Sequence, residues 1–189
     1  MTDIILASQS PRRKQLLELA EITFEIRIAD IDETPPPGMP GEEVPEHLAR
    51  EKAAVIAKNN PGAIVIAADT IVLLDNEILG KPVNEEDAVA ILKKLSGRMH
   101  QVVSGVCIQK GNEVYSFSAT TEVYFRSLTE EQIRHYVTNY HPYDKAGAYA
   151  IQEWIGIVGI EKINGDYYNV MGLPVGQVVE YLRELQLLD

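Results

Sequence analysis

The chain has 189 residues, 46% of them apolar and 24% charged, an ordinary composition for a globular domain. Its single cysteine, Cys107, excludes an internal disulfide framework, a multi-cysteine zinc site and an iron–sulfur cluster. Lys and Arg number 17 against 28 Asp and Glu, a net charge of −11. That sets long-range repulsion against a nucleic-acid backbone and makes any local gathering of cations informative.

No apolar run approaches the roughly 20 residues of a membrane span. The start, MTDIILASQS, places an acid where a leader wants positive charge, and no apolar core follows. The expectation is a cytoplasmic protein, residues 1–189 forming a single domain, with neither nucleic acid nor membrane as partner.

Short apolar runs alternating with amphipathic stretches predict an α/β domain with mixed strand pairing. Ile4–Ala7 reads as a buried strand. Pro11–Ala20 reads as a helix, with Ser10 as N-cap and Pro11 at the first helical position. Ile22, Phe24, Ile26 and Ile28 alternate as in a half-buried strand. Ala29–Pro45 is too rich in proline for a regular element, and helical spacing resumes over Pro45–Asn59. Ala63–Ala68 is short and wholly apolar, as a central strand should be, and Ile71–Leu79 predicts a hairpin turning at Asp75-Asn76. Asn84 caps a helix that Gly97 stops; a second hairpin turns at Lys110-Gly111-Asn112; Thr129 to Gln132 forms a capping box. A loop over His141–Tyr149, a strand over Ile155–Ile160, a turn at Asn164-Gly165 and a helix from Pro174 to Leu185 complete the expected order.

Five places carry candidate chemistry. Ser8-Gln9-Ser10-Pro11-Arg12-Arg13-Lys14 puts three cations in a first helical turn, where the helix dipole is already positive. An anion bound on the amides and guanidinium groups turns that cost into a gain; a solvated basic turn is the plain alternative. The stretch has neither glycine-rich phosphate-loop spacing. Asp69-Thr70 stands at the carboxyl end of the AIVIAA strand, where ligands of open α/β sheets collect. Asp69 suits metal ligation or general-base work, or it is a turn residue bonded to nearby amides. Lys81, between Gly80 and Pro82, is either a positioned cation or an ordinary surface lysine, and Lys52 within REKAA reads as part of an exposed helix face, there to pair with the acids around it. The acidic loop Asp30-Ile31-Asp32-Glu33-Thr34 offers hard oxygen ligands or is simply solvated. The glycine-studded stretches Asp144–Gln152 and Gly165–Pro174 read as cleft walls, with Gln152 offering a donor and an acceptor to a base edge. Cys107, in an apolar strand, reads as an inert core thiol.

Taken in order, S-x-S-P-R-R, D-E-T, E-K-A, A-A-D-T, G-K-P, S-G-R, D-K-A-G-A-Y-x-I-Q and G-D-Y-x-N-V-M-G-L-P resemble the Maf family of nucleoside triphosphate pyrophosphatases over nearly the whole chain. The resemblance implies an elongated mixed β-sheet flanked by helices, in two lobes with a central cleft, similar to inosine triphosphate pyrophosphatase. It implies hydrolysis of a nucleoside triphosphate to the monophosphate and pyrophosphate with Mg²⁺ or Mn²⁺, in a homodimer. The family's functional positions fall on Ser8, Arg12, Arg13, Glu33, Lys52, Asp69, Lys81 and Gln152; Glu33 and Lys52 are singled out by the resemblance alone. Arg12, Thr70 and Gln152 match the branch that acts on dTTP and UTP. The roles that follow are Asp69 as proton acceptor, Lys52 and Lys81 as catalytic cations, Glu33 with Asp69 as metal ligands, and Ser8, Arg12, Arg13, Thr70 and Gln152 as substrate-binding or specificity residues. A nucleotide-binding regulator of septum formation, with incidental hydrolysis, is the alternative the resemblance leaves open.

Overall fold

The computed structural model describes residues 3–188. The N-terminal stretch read above for a leader, and the domain read over 1–189, therefore take in Met1, Thr2 and Asp189, which lie outside the described residues. In chain order the elements are β1 (Ile4–Leu6), α1 (Pro11–Leu19), β2 (Glu25–Ile26), α2 (Val44–Lys58), β3 (Ile64–Leu74), β4 (Glu77–Leu79), α3 (Glu85–Leu95), β5 (Met99–Lys110), β6 (Glu113–Phe125), α4 (Glu130–Tyr140), α5 (Trp154–Gly159), β7 (Ile160–Asn164), α6 (Tyr167–Met171) and α7 (Val175–Glu184). Single 3₁₀ turns occupy Gly41–Glu43, Pro142–Asp144 and Ala146–Ala148. The strands form one mixed sheet in the order β2-β1-β3-β5-β6-β7, with β4 on β3. β1 runs parallel to β2 and β3; β4 and β7 run antiparallel to their neighbours. A mixed sheet flanked by helices is the architecture the resemblance implies. Among the described residues no helix is long and apolar enough to cross a membrane.

The chain divides into two compact units. The first is Met1–Asp69, Ser104–Ala119 and Gly172–Asp189; the second is Thr70–Val103 and Thr120–Met171. In the first unit α2 lies on one sheet face, its Ala49, Ala53, Ile56 and Ala57 buried with Ile5 and Ala7 of the β1 segment, Val65 and Ala67 of β3, and Cys107 of β5. The small residues let helix and sheet approach closely. At Gly105 an added Cβ would stand 2.0 Å from the Glu46 amide nitrogen and 2.2 Å from the Pro45 carbonyl carbon. Backbone meets backbone there, and only glycine fits. Beyond that contact, Glu46 accepts hydrogen bonds from the Ser116 hydroxyl at 2.6 Å and the Ser118 hydroxyl at 3.0 Å, fixing the first turn of α2 on β6.

The second unit is built on α3, which packs on α4 and on the turns at 142–148. The expected caps are present. Asn84 accepts from the Asp87 amide at 2.9 Å while the Asp87 carboxylate accepts from Val83, and Thr129 with Gln132 closes a reciprocal capping box. The β3–β4 hairpin turns where expected, with Asp75 and Asn76 both at positive φ.

Two expected strands come out differently. Between Ile22 and Ile28 only Glu25–Ile26 forms a strand, at the sheet edge, and Ile26 and Ile28 are exposed. The strand expected over Ile155–Ile160 is helix α5 as far as Gly159. Ile155 is buried while Ile157, which a strand would turn to the same face, is 81% exposed. The buried pair is Ile155 and Gly159, four apart, which is helical spacing. Gly156 forces this entry, because a Cβ there would lie 1.7 Å from the Ile151 carbonyl oxygen.

Candidate active site

The S-P-R-R turn folds as its caps predict. Ser10 has extended backbone and its hydroxyl accepts from the Arg13 amide while its carbonyl accepts from the Lys14 amide at 3.2 Å, so α1 starts at Pro11 with Arg12 and Arg13 in its first turn. Arg13 is half-buried and folded back rather than splayed into solvent. Its Nε donates to the Gly172 carbonyl at 2.8 Å and its Nη1 to the Ser8 hydroxyl at 3.1 Å. The buried Ser8 hydroxyl also accepts from the Ser10 amide at 3.2 Å. Surrounding protein pulls the guanidinium below its ordinary pKa, with Arg12 acting in the same sense; the carboxylates of Asp69 and Glu33 oppose it. Arg13 thus feels both acids that the resemblance singles out.

Those acids meet at Lys52. The expectation of an exposed lysine on α2 is wrong: Lys52 is 8% exposed and lies in the apolar stripe with Leu48, Ala49, Ala53 and Ile56. Val65 and Ala67 face α2, and Asp69, two residues on, continues the same face at the middle of β3, which runs unbroken over Ile64–Leu74, so Asp69 and Thr70 stand neither at a strand's carboxyl end nor in a turn as expected. The Lys52 ammonium donates to Asp69 Oδ1 at 2.7 Å and stands 2.8 Å from Glu33 Oε1. Glu33 arrives from the irregular loop, where Asp32 Oδ1 accepts from the Thr34 amide at 2.9 Å and closes a local turn. Hydrogen bonding to Thr34 holds the exposed Asp32 carboxyl below its ordinary range. Ser8, Arg12, Arg13, Glu33, Lys52 and Asp69 all belong to the first unit.

Thr70, Lys81 and Gln152 belong to the second unit. Thr70 is half-buried in β3; Lys81 and Gln152 are exposed. The segments carrying Lys81 and Gln152 are tied together, since the Gly147 amide donates to the Gly80 carbonyl at 3.1 Å. The stretch from Gly165, expected as a cleft wall, is firmly anchored over its first part, and its Gly172 carbonyl is the one that holds Arg13. Thr121 exchanges hydrogen bonds with the Asp166 backbone, and the buried Asn169 amide donates to the Val102 carbonyl at 3.1 Å and to Thr121 at 3.0 Å, fastening α6 to β5 and β6. Cys107 is buried, and burial pushes its thiol up to about 11, as an inert core thiol requires.

The Maf-like protein family model matches residues 3–185. The chain belongs to the Maf family. A dTTP/UTP pyrophosphatase of Cytophaga hutchinsonii is 48% identical over 184 residues, covering 97% of this chain and 84% of the relative. Those of Bacteroides thetaiotaomicron and Phocaeicola vulgatus are 48% and 50% identical, each covering 96% of this chain and 95% of theirs. Among solved structures, Ham1 proteins of Staphylococcus aureus and Coxiella burnetii align with TM-scores of 0.48 and 0.44 at 19% and 18% identity, over 66% of this chain and 72% and 73% of theirs.

For this Maf chain the donor set fits a hard divalent cation. Glu33 and Asp69 aim carboxylate oxygens at one point, the Lys52 ammonium, and hard oxygen donors of this kind suit a divalent cation of the Mg²⁺ type. A cage made wholly of protein is not built: among the described residues no group of three or more His, Cys, Asp or Glu is placed to hold a metal. One signal for Lys52 was present in the sequence without the family. It stands four after Leu48 and four before Ile56, a charge placed on the buried stripe.

Proposed function

We propose that this chain hydrolyses pyrimidine nucleoside triphosphates, dTTP and UTP and modified pyrimidine nucleotides with them, to the monophosphate and pyrophosphate. The observation that carries the proposal is Lys52 buried between Glu33 and Asp69 with Arg13 in the field of both acids. The dTTP/UTP pyrophosphatase names borne by relatives of 46 to 50% identity supply the substrate class. A divalent metal, cytoplasmic placement and a homodimer accompany the proposal on the strength of the family resemblance, and no observation favours the septum-regulator alternative.

In this reading the guanidinium groups of Arg12 and Arg13 take phosphate oxygens, and the Ser8 and Gly172 anchors orient the Arg13 fork. Lys81 is the further phosphate cation. Lys52 occupies Asp69 Oδ1, which leaves Oδ2 to orient a water and take its proton as it attacks phosphorus. Glu33 and Asp69 are the residues that would hold a divalent ion, which would supply charge neutralisation for the departing pyrophosphate. Gln152, exposed on its turn, reads the pyrimidine edge through its paired donor and acceptor.

Pyrophosphate release over a panel of nucleotides with Mg²⁺ or Mn²⁺ tests the proposal. dTTP and UTP turned over at least tenfold faster than GTP, with Asp69→Asn slowing them by roughly 10²–10⁴-fold, is the expected result. Tight nucleotide binding without turnover would overturn it.

A further inference from the structure

The second unit holds a buried cluster that the proposed chemistry does not use. Tyr136, on α4, is fully buried, with its ring stacked on Tyr140 at 5.0 Å between centroids. Its hydroxyl donates to Glu153 Oε2 and accepts from the Ala150 amide at 3.1 Å. The Glu153 amide in turn donates to the Ala150 carbonyl at 3.1 Å, so residues 150–153 form one tight turn. A single phenol oxygen therefore grips both ends of that turn. Gln152 is its exposed member, and Ala150 and Ile151 are buried beside it.

The other oxygen of Glu153 has its own partner. Lys145 is 8% exposed, an unusual setting for a lysine. Its ammonium lies 2.8 Å from Asp144 Oδ1 and 3.6 Å from Glu153 Oε1. Glu153 thus sits between a phenol on Oε2 and an ammonium on Oε1, which fixes its carboxylate plane. Gly156 closes the turn from the far side by its approach to the Ile151 carbonyl. A buried lysine, a buried phenol and a carboxylate form a costly set to maintain beneath a surface turn. A glutamine that reads a base edge needs its backbone held to a fraction of an ångström, because hydrogen-bond selectivity is lost as soon as donor and acceptor can slide.

We propose that Tyr136 and Lys145, acting through Glu153, are positioning residues for Gln152, and that base preference in this chain is set by this buried cluster as much as by the exposed amide. The proposal rests on the reading of Gln152 as the base-reading residue, and the experiment separates the two.

Tyr136→Phe in the full chain keeps the stacked ring and deletes the one oxygen. The kcat/KM ratio of UTP over GTP should fall on the order of tenfold, the worth of about one hydrogen bond. The fall should come through KM for UTP, with kcat for UTP and kcat/KM for GTP unchanged within twofold. Lys145→Met, read in the same assay, should shift the ratio in the same direction. In a Gln152→Ala background, adding Tyr136→Phe should change the ratio no further. If Gln152→Ala lowers the ratio and both Tyr136→Phe and Lys145→Met leave it alone, the positioning role is overturned while the base-reading role stands. If Gln152→Ala leaves the ratio unchanged, the base-reading role fails and the inference with it. A loss of kcat shared equally by UTP and GTP, with a lowered Tm, would show general loosening and also overturn it.

Discussion

Replacing Lys52 by Met tests most directly whether the cluster in the first unit is a functional device or a structural prop. Methionine keeps the apolar stem that lies with Leu48, Ala49 and Ile56 and removes the ammonium. The side chains of Lys52 and Asp69 are 11% and 16% exposed, so both ions are largely out of water. At 2.7 Å and an effective dielectric constant of about 20 their attraction is about 6 kcal/mol. Desolvation of several kcal/mol for each ion offsets that, leaving a pair of near-zero net worth. Glu33, 57% exposed, adds under about 1 kcal/mol. Truncating one partner is a different matter, because Asp69 keeps its desolvation and loses its attraction. That costs about 3 kcal/mol, at the lower end of the usual range since Arg13 still faces Asp69. Lys52→Met with Asp69→Asn removes both charges and should return to within about 1 kcal/mol of the parent. Urea denaturation of the parent, both single variants and the double variant gives the cycle. Turnover should be lost in every variant, so the double variant would be stable and inactive. Single costs that simply add in the double variant would refute the pairing argument.

Gly105→Ala drives a Cβ into the Pro45–Glu46 backbone, which cannot yield as a flexible side chain could. A loss of about 3 kcal/mol, roughly 10 °C in Tm, is expected by thermal unfolding, and an unchanged Tm would contradict the close approach. Arg13→Lys keeps the charge but cannot bridge the Ser8 hydroxyl and the Gly172 carbonyl together. Its kcat/KM for UTP should drop on the order of 10²-fold with unchanged far-ultraviolet circular dichroism. His100 is buried with Nε2 2.7 Å from the Tyr149 hydroxyl and no hydrogen-bond partner on Nδ1, and burial pulls its pKa to about 4. Its folded value lies below the unfolded 6.5, so the unfolded chain takes the proton first. The stability it contributes is present above pH 6.5 and lost as pH falls toward 4. Between pH 7 and 4.5 the parent should lose about 2 to 3 kcal/mol more than His100→Gln in urea titrations; parallel losses would count against the burial argument.

How much of this was legible depends on whether the signal was local. Ser10 before Pro11, the Asp75-Asn76 turn and the Thr129–Gln132 box are each decided within four residues, and each formed as expected. The stretch around Ile155 reads as a strand because I-G-I-V-G-I fits a two-residue period as well as a helical one. The deciding contact, Gly156 against the Ile151 carbonyl, exists only once the turn before it has closed. The burial of Lys52 escapes the sequence for another reason. A charge at a stripe position is ordinarily the edge of a helix face, and only the two acids brought to it from 19 residues before and 17 after make burial tolerable. Tyr136 is hidden more thoroughly, since beside Ile133 and Val137 it reads as core, and its hydroxyl leaves no mark on the pattern.

The same cluster explains why an acidic chain can be asked to handle a polyanion, and why it would need help. Arg12, Arg13 and Lys52 against Glu33 and Asp69 leave a net charge of one, with Lys52 already matched by its two acids. A nucleoside triphosphate carries about four negative charges. Held so, the cluster is too weakly cationic to grip a triphosphate by attraction alone. Under the proposed function a divalent ion would bring the remaining charge. The carboxylates that reduce the net charge fix Lys52, and under the proposed function they would also offer the ion its oxygens and supply the base. An acid-free cluster of the same cations would bind the triphosphate more tightly and leave nothing to activate the water.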